Sequence, residues 1–223
     1  MSSTTTSSQI VEKKPAESLF SKRRRKIVTD PLDENNPVTV QVLGICSSLA
    51  VTAKLEPTLV MSISVIFVVV FSNMVISLIR NTIPQRIRII VQLGVVATLV
   101  ILVDQILKAY VYEVSKLVGV YVGLIITNCI VMGRLEAFAM GNKPYDSALD
   151  GLGNSVGYAW VILAIAFIRE LWGSGSLFGF KLFQEFGIPF QANGLMTSPV
   201  GAFMVLAVIV WIQRWRNGYV EHA

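Results

Sequence analysis

Apolar runs alternate with short charged intervals over most of this chain, and the runs are of two kinds. Four of them, 58–79, 89–107, 152–168 and 195–213, approach the roughly 20 residues that carry a helix across a bilayer. The other two, 38–53 and 117–133, have polar residues inside them: Gln41, Gly44 and Cys46-Ser47-Ser48 in the first, Thr127, Asn128 and Cys129 in the second. A lipid-facing helix would leave such groups without partners. Two short interrupted segments, one in each half of a chain, point instead to broken helices that meet near the midplane.

The pattern predicts an all-α integral membrane protein. Its six transmembrane segments form two inverted three-helix repeats, residues 37–110 and 111–223, and the first segment of each repeat is short or broken. Three crossings separate corresponding points, so the second copy inserts upside down and the two cysteine segments approach from opposite faces. The long run after each cysteine ends in Ile-Arg, at Ile79-Arg80 and at Ile168-Arg169. Residues 1–36 are Ser/Thr-rich, then basic through Lys22-Arg23-Arg24-Arg25-Lys26, then rich in turn formers up to Pro37. Without apolar periodicity they are expected to form a flexible basic tail on the cytoplasmic side.

Composition supports the membrane reading: 53% of the 223 residues are hydrophobic and 15% are charged, which leaves little chain for an extramembrane domain. The net charge of +5 does not point to nucleic acid, because seven of the 19 Lys and Arg stand within residues 13–26. The tail, the 80–88 loop, the 134–150 loop and the C-terminus together hold fourteen of those 19, so both termini are expected in the cytoplasm. A signal peptide spanning the basic stretch and residues 38–53 is disfavoured, since the preceding segment is far longer than a normal n-region. The only histidine, His222, stands next to the C-terminus, which argues against a haem held within the membrane.

Candidate chemistry centres on Cys46 and Cys129. A buried free cysteine is usually a small hydrophobe, yet these two occupy matched positions. If their thiols meet, the options are a disulfide, a two-coordinate soft-metal site, or half of a four-thiolate iron–sulfur cluster. Both lie in apolar runs rather than in loops, which makes the disulfide the minor reading. This chain cannot complete a cluster alone, because it holds two cysteines. Gly44, Ile45, Asn128 and Gly133 are the backbone positions expected around such a group, the glycines because they let the chain turn or approach closely. Asp104 ends an otherwise apolar run and is placed to pair with Lys108 four residues on; an ion-path role is the sharper alternative. Residues 151–157, Gly-Leu-Gly-Asn-Ser-Val-Gly, lack the spacing and the strand of a dinucleotide loop and read as small residues for close helix packing.

The segments Leu43-Gly44-Ile45-Cys46-Ser47-Ser48-Leu49-Ala50-Val51-Thr52 and Val122-Gly123-Leu124-Ile125-Ile126-Thr127-Asn128-Cys129-Ile130-Val131-Met132-Gly133-Arg134 resemble the D-type subunits of sodium-translocating NADH:quinone oxidoreductases. The resemblance extends through Ser77-Leu78-Ile79-Arg80-Asn81, Val103-Asp104-Gln105, Glu136-Ala137-Phe138-Ala139 and Asp150-Gly151-Leu152-Gly153-Asn154, and covers residues 32–216. It implies a multi-pass membrane component of the bacterial inner membrane that pairs, inverted, with a homologous E-type subunit and works with the A-, B-, C- and F-type subunits. It further implies a [2Fe-2S] cluster between the D-type and E-type subunits, with Cys46 and Cys129 as this chain's two ligands. Electrons would pass from a cytoplasmic flavin domain, fed by NADH, towards a covalent flavin on the opposite side and on to ubiquinone, coupled to Na+ export. The corresponding subunit of ferredoxin:NAD oxidoreductase complexes shares the Thr-Asn-Cys-Ile-Val signature; Met132 and the 77–81 run favour the quinone reductase. A non-redox scaffold or transporter subunit is the reading from a different class.

Overall fold

In the computed structural model, residues 22–32, 35–110, 119, 121, 123–173, 175 and 194–216 are described, and none of these forms a β-strand. The chain enters through α1 (Lys22–Thr29) and a 3-10 turn, Asp30–Leu32. Then come α2 (Ile45–Val51), α3 (Leu55–Ile79) and, after a 3-10 turn, α4 (Arg88–Tyr110). The second half has α5 (Cys129–Arg134), which runs into a π-helical turn at Leu135–Ala139, then α6 (Pro144–Gly173), α7 (Gly194–Thr197) and α8 (Pro199–Arg216).

Four of these helices are long and apolar enough to cross a membrane: α3, α4 with its preceding turn, α6 and α8. They correspond to the four long runs. The helices α2 and α5, with seven and six residues, are far too short. At about 1.5 Å per residue each covers about a third of a hydrocarbon layer roughly 30 Å thick. Both interrupted segments are thus half-helices. In 38–53 only the second part is helical, after turns through Pro37 and Val40. In 117–133, residues 123–126 are helical, the helix breaks at Thr127 and Asn128, and it restarts at Cys129. Residues 111–118, 120 and 122, and most of the loop at 171–194, lie outside the described residues.

Helices α3 and α6 form the centre and run antiparallel. Leu55, at the start of α3, meets Glu170 near the end of α6, while Arg80, just after α3, meets Asn142, just before α6. Between them Val65, Val68, Val69 and Ile76 of α3 and Tyr158, Ile162 and Ile165 of α6 are buried in one core. The Val- and Ile-rich α3 stays helical because an apolar layer offers its backbone no other partners. Two of its hydroxyls are absorbed by the helix itself: Ser62 and Ser64 each donate to the carbonyl four residues back. Helix α4 turns Gln92, Val96, Val100 and Val103 inward and leaves Ile89, Ile90, Ile101, Leu102 and Ile106 on the outside.

Two expectations need revision. Residues 22–32, read as part of a flexible tail, are helical and pack on α6, where glycines make room for them. A Cβ on Gly153 would stand 3.0 Å from Val28 Cα, and one on Gly157 would stand 2.5 Å from the Pro31 carbonyl oxygen. The span expected to begin near residue 152 begins at Pro144, a residue favoured at the first position of a helix. Its first turns look like a polar loop in the sequence, but Asp150 is held by Arg134 and Ser147 is buried against α3, so their polarity does not end the helix.

Gly157→Val should push the 30–32 turn off α6. The expected loss is about 1–3 kcal/mol of stability, as for other overpacked cores, together with faster amide exchange over residues 26–32 and unchanged exchange in α4. Unchanged exchange over 26–32 would mean that this contact does not hold the segment.

Candidate functional site where two half-helices meet

The starts of α2 and α5 come together on the flank of α6. Gly44 precedes α2 in the left-handed conformation (φ 81°), a backbone that glycine adopts without strain. Its N–H donates to Cys129 Sγ at 2.9 Å. There is no room for a side chain at this position: a Cβ would stand 2.8 Å from Tyr158 Cε2 and 3.6 Å from Asn128 Oδ1. Asn128 caps α5, its Oδ1 accepting from the Ile130 N–H at 3.3 Å. Gly133 packs more loosely, with Leu43 Cδ1 at 3.3 Å from a would-be Cβ.

Ser47 ties these pieces together. Its hydroxyl donates to the Gly44 carbonyl at 2.9 Å, lies 2.7 Å from Tyr158 Oη, and receives Asn128 Nδ2 at 3.3 Å. Ser48 Oγ donates to the same Gly44 carbonyl at 2.8 Å. Ser47, Asn128 and Tyr158 are all buried. One hydroxyl therefore joins the entry to α2, the cap of α5 and the side of α6.

The thiols lie within this frame. Cys46 is exposed and Cys129 is half-buried; both are free, and they are close enough to interact with each other and with Tyr158. Of the positions singled out from the sequence, Cys46, Cys129, Gly44, Ile45 and Asn128 are brought together, with Ile45 as the first residue of α2. Asp104 is elsewhere, on α4, where it accepts from Lys108 Nζ at 2.5 Å. Among the described residues no three His, Cys, Asp or Glu side chains gather as a metal cage. This chain offers two soft sulfur donors, which suits a share of a thiolate site and not a complete one.

Sequence reasoning missed Ser47 and Tyr158. A tyrosine in the middle of an apolar run carries a hydroxyl that must find a partner, and that was the available signal. It also missed a second polar centre at the far end of α6. Arg169, only 2% exposed, donates to Thr52 Oγ1 at 2.7 Å and to the carbonyls of Met196, Thr197 and Ser198 at 3.1, 2.9 and 3.1 Å. Next to it, Glu170 Oε2 accepts from the Leu55 N–H at 2.5 Å and caps α3. Elsewhere Arg134 grips Asp150 through two bonds of 2.9 and 2.5 Å, and Glu136 in the π-helical turn pairs with Arg88 and accepts from Gln92 Nε2 at 3.1 Å.

The sequence profile described as "Rnf-Nqr subunit, membrane protein" matches residues 24–210. The D-type subunit of the Na(+)-translocating NADH-quinone reductase from Pasteurella multocida (strain Pm70) is 55% identical over 192 residues, 85% of this chain and 92% of the relative. The proteins of the same name from Shewanella baltica (strain OS155) and Shewanella sp. (strain ANA-3) are 52% and 51% identical over 195 residues, 86% of this chain and 93% of each relative.

Asn128→Ala should remove both the cap of α5 and the amide that holds Ser47. A loss of about 1 kcal/mol is expected from the cap, read as a lower unfolding temperature in detergent. Asn128→Asp, which keeps the capping oxygen, should recover part of it. Equal stability of Asn128→Ala and the parent protein would show that α5 does not depend on this cap.

Proposed function

This chain belongs to the Rnf-Nqr family of membrane proteins, and on that premise we propose that it is the D-type subunit of a Na(+)-translocating NADH-quinone reductase. In this reading it relays electrons across the membrane through a [2Fe-2S] cluster shared with a homologous E-type subunit. Cys46 and Cys129 give two of the four thiolates, and the partner gives the others. The A-, B-, C- and F-type subunits complete the complex, which exports Na+ across the bacterial inner membrane. Both termini of this chain lie in the cytoplasm.

The observation that carries the proposal is the convergence of two free thiols from two half-helices, with the Gly44 N–H already bonded to one of the sulfurs. A protein that kept its cysteines only as small hydrophobes would have no need for that arrangement. A bound [2Fe-2S] group supplies one-electron transfer. The residues of this chain orient the sulfurs, shield Cys129 and bring a backbone donor to it. The names of the relatives favour the quinone reductase over a ferredoxin:NAD oxidoreductase.

The six-segment inverted architecture also belongs to this proposal. It is supported by the antiparallel α3 and α6, each preceded by a half-helix that carries a cysteine near its start. Arg80 and Arg169 each stand 25 positions after the first residue of their helix, Leu55 and Pro144. Arg80 bonds the chain that leads into α6, at the Asn142 carbonyl, and Arg169 bonds the chain that leads into α3, at Thr52. Two halves related by inversion would make such reciprocal contacts.

The test is iron content and low-temperature EPR of the dithionite-reduced complex, purified with its partner subunits, for the parent protein, Cys46→Ala and Cys129→Ala. Each variant should lose about two irons and one cluster signal, and should lose NADH-to-quinone electron flow with them. Parental iron and spectra in both variants would make the cysteines packing elements.

A further inference from the structure

We propose that Tyr158 is a positioning residue for the thiolate pair: it fixes Gly44, Ser47 and Asn128 so that the Gly44 N–H bond to Cys129 Sγ sets the electron affinity of the group the thiolates hold. The inference rests on the relay reading above and adds to it a determinant outside the cysteine segments.

Tyr158 acts on this bond in two ways. Its ring lies against Gly44, where a Cβ would approach Cε2 to 2.8 Å, so the ring is a wall that defines where the Gly44 backbone sits. Its hydroxyl lies 2.7 Å from Ser47 Oγ. Ser47 has one proton, and the 2.9 Å bond to the Gly44 carbonyl uses it. With the Ser47 proton on that carbonyl, which Ser48 Oγ shares, the phenol donates to Ser47, and Ser47 also accepts from Asn128 Nδ2. In that arrangement the bonds run from Tyr158 and Asn128 through Ser47 to the Gly44 carbonyl, and such chains strengthen cooperatively in a low-dielectric interior. It holds the left-handed turn at Gly44 from the carbonyl side while the N–H side faces the sulfur.

The redox consequence follows from charge. Adding an electron to a thiolate-held iron–sulfur group places negative charge partly on its sulfurs, and hydrogen bonds to those sulfurs are among the factors that set its potential. A donor held at 2.9 Å stabilises the reduced form more than the oxidised form. Loosening Gly44 should lower the potential. A tyrosine that merely fills space would leave the potential unchanged when the group remains bound.

The experiment is an EPR-monitored redox titration of the assembled complex, with iron content, for the parent protein, Tyr158→Phe, Tyr158→Leu and Gly44→Ala. The signal followed is the one that Cys129→Ser removes. Tyr158→Leu and Gly44→Ala should each lower the equilibrium constant for one-electron reduction about tenfold, a downward shift of about 59 mV, with iron retained. Tyr158→Phe keeps the ring and loses only the hydroxyl, and should shift about threefold in the same direction. Parental potentials in all three variants, with a Cys129-dependent signal present, would overturn this inference and leave the relay reading intact. If Tyr158→Leu and Gly44→Ala lose iron, Tyr158→Phe decides: a shift supports the inference and a parental potential overturns it. No iron or signal lost in Cys129→Ser would overturn both.

Discussion

A helix that stops inside an apolar layer leaves backbone donors and acceptors that only the protein itself can satisfy. Most of the polar chemistry of this chain answers that constraint. The Gly44 carbonyl is met by Ser47 and Ser48, the Ser48 carbonyl by Thr52, and the Val51 carbonyl by Thr58. The Ile130 N–H is met by Asn128, and the Leu55 N–H by Glu170. Arg169 collects the carbonyls at 196–198, and Asn142 receives both Ser77 Oγ and Arg80 Nη1 at 2.6 Å. A buried guanidinium satisfied by carbonyls is costly to desolvate, but it answers several acceptors at once, where a neutral side chain would answer one or two.

These contacts lock the molecule reciprocally. The arginine after α3 holds the chain leading into α6, and the arginine near the end of α6 holds the chain leading into α3. Because α2 and α5 stand just before α3 and α6, the two long helices fix each other's half-helix, and with it the cysteine it carries. The halves are not identical in spacing. Nine positions separate Cys46 from Leu55, and fifteen separate Cys129 from Pro144. The extra chain in the second half includes the π-helical turn Leu135–Ala139, where Glu136 reaches Arg88 and Gln92 on α4. Such a turn, frequent where a helix is shaped for a function, lets the second half reach across to α4, a helix of the first half.

Hydrophobic run length made the four long helices legible in the sequence, because for them burial and composition carry the same information. Polar interruptions made both cysteine segments legible for the same reason. What escaped were features whose polarity is cancelled only by a partner distant in sequence. Asp150 looks like a loop residue until Arg134 is seen beside it, and the 22–32 segment looks like a solvated tail until Gly153 and Gly157 are seen to receive it. Tyr158 looks like ordinary packing until its hydroxyl is traced through Ser47 to Gly44. No local pattern encodes these pairs, since each lies 16 or more positions apart.

The two polar centres differ in kind, and the difference fits their tasks. At the ends of the long helices the chain uses charge: Arg169 and Glu170, Arg80, and the Arg134–Asp150 pair. Beside the thiols the bonded groups are the Gly44 peptide, Ser47, Ser48, Asn128 and Tyr158, all uncharged. A fixed ion there would need its own counter-charge and would carry a desolvation penalty of several kcal/mol. Neutral dipoles held in a low-dielectric setting act on a nearby sulfur without that penalty, and their strength depends on how firmly they are aimed. Aim is what the long helices supply, so the reciprocal arginine contacts and the thiol pair are parts of one arrangement: charge fixes the frame, and the frame holds the uncharged Gly44 donor against the Cys129 sulfur.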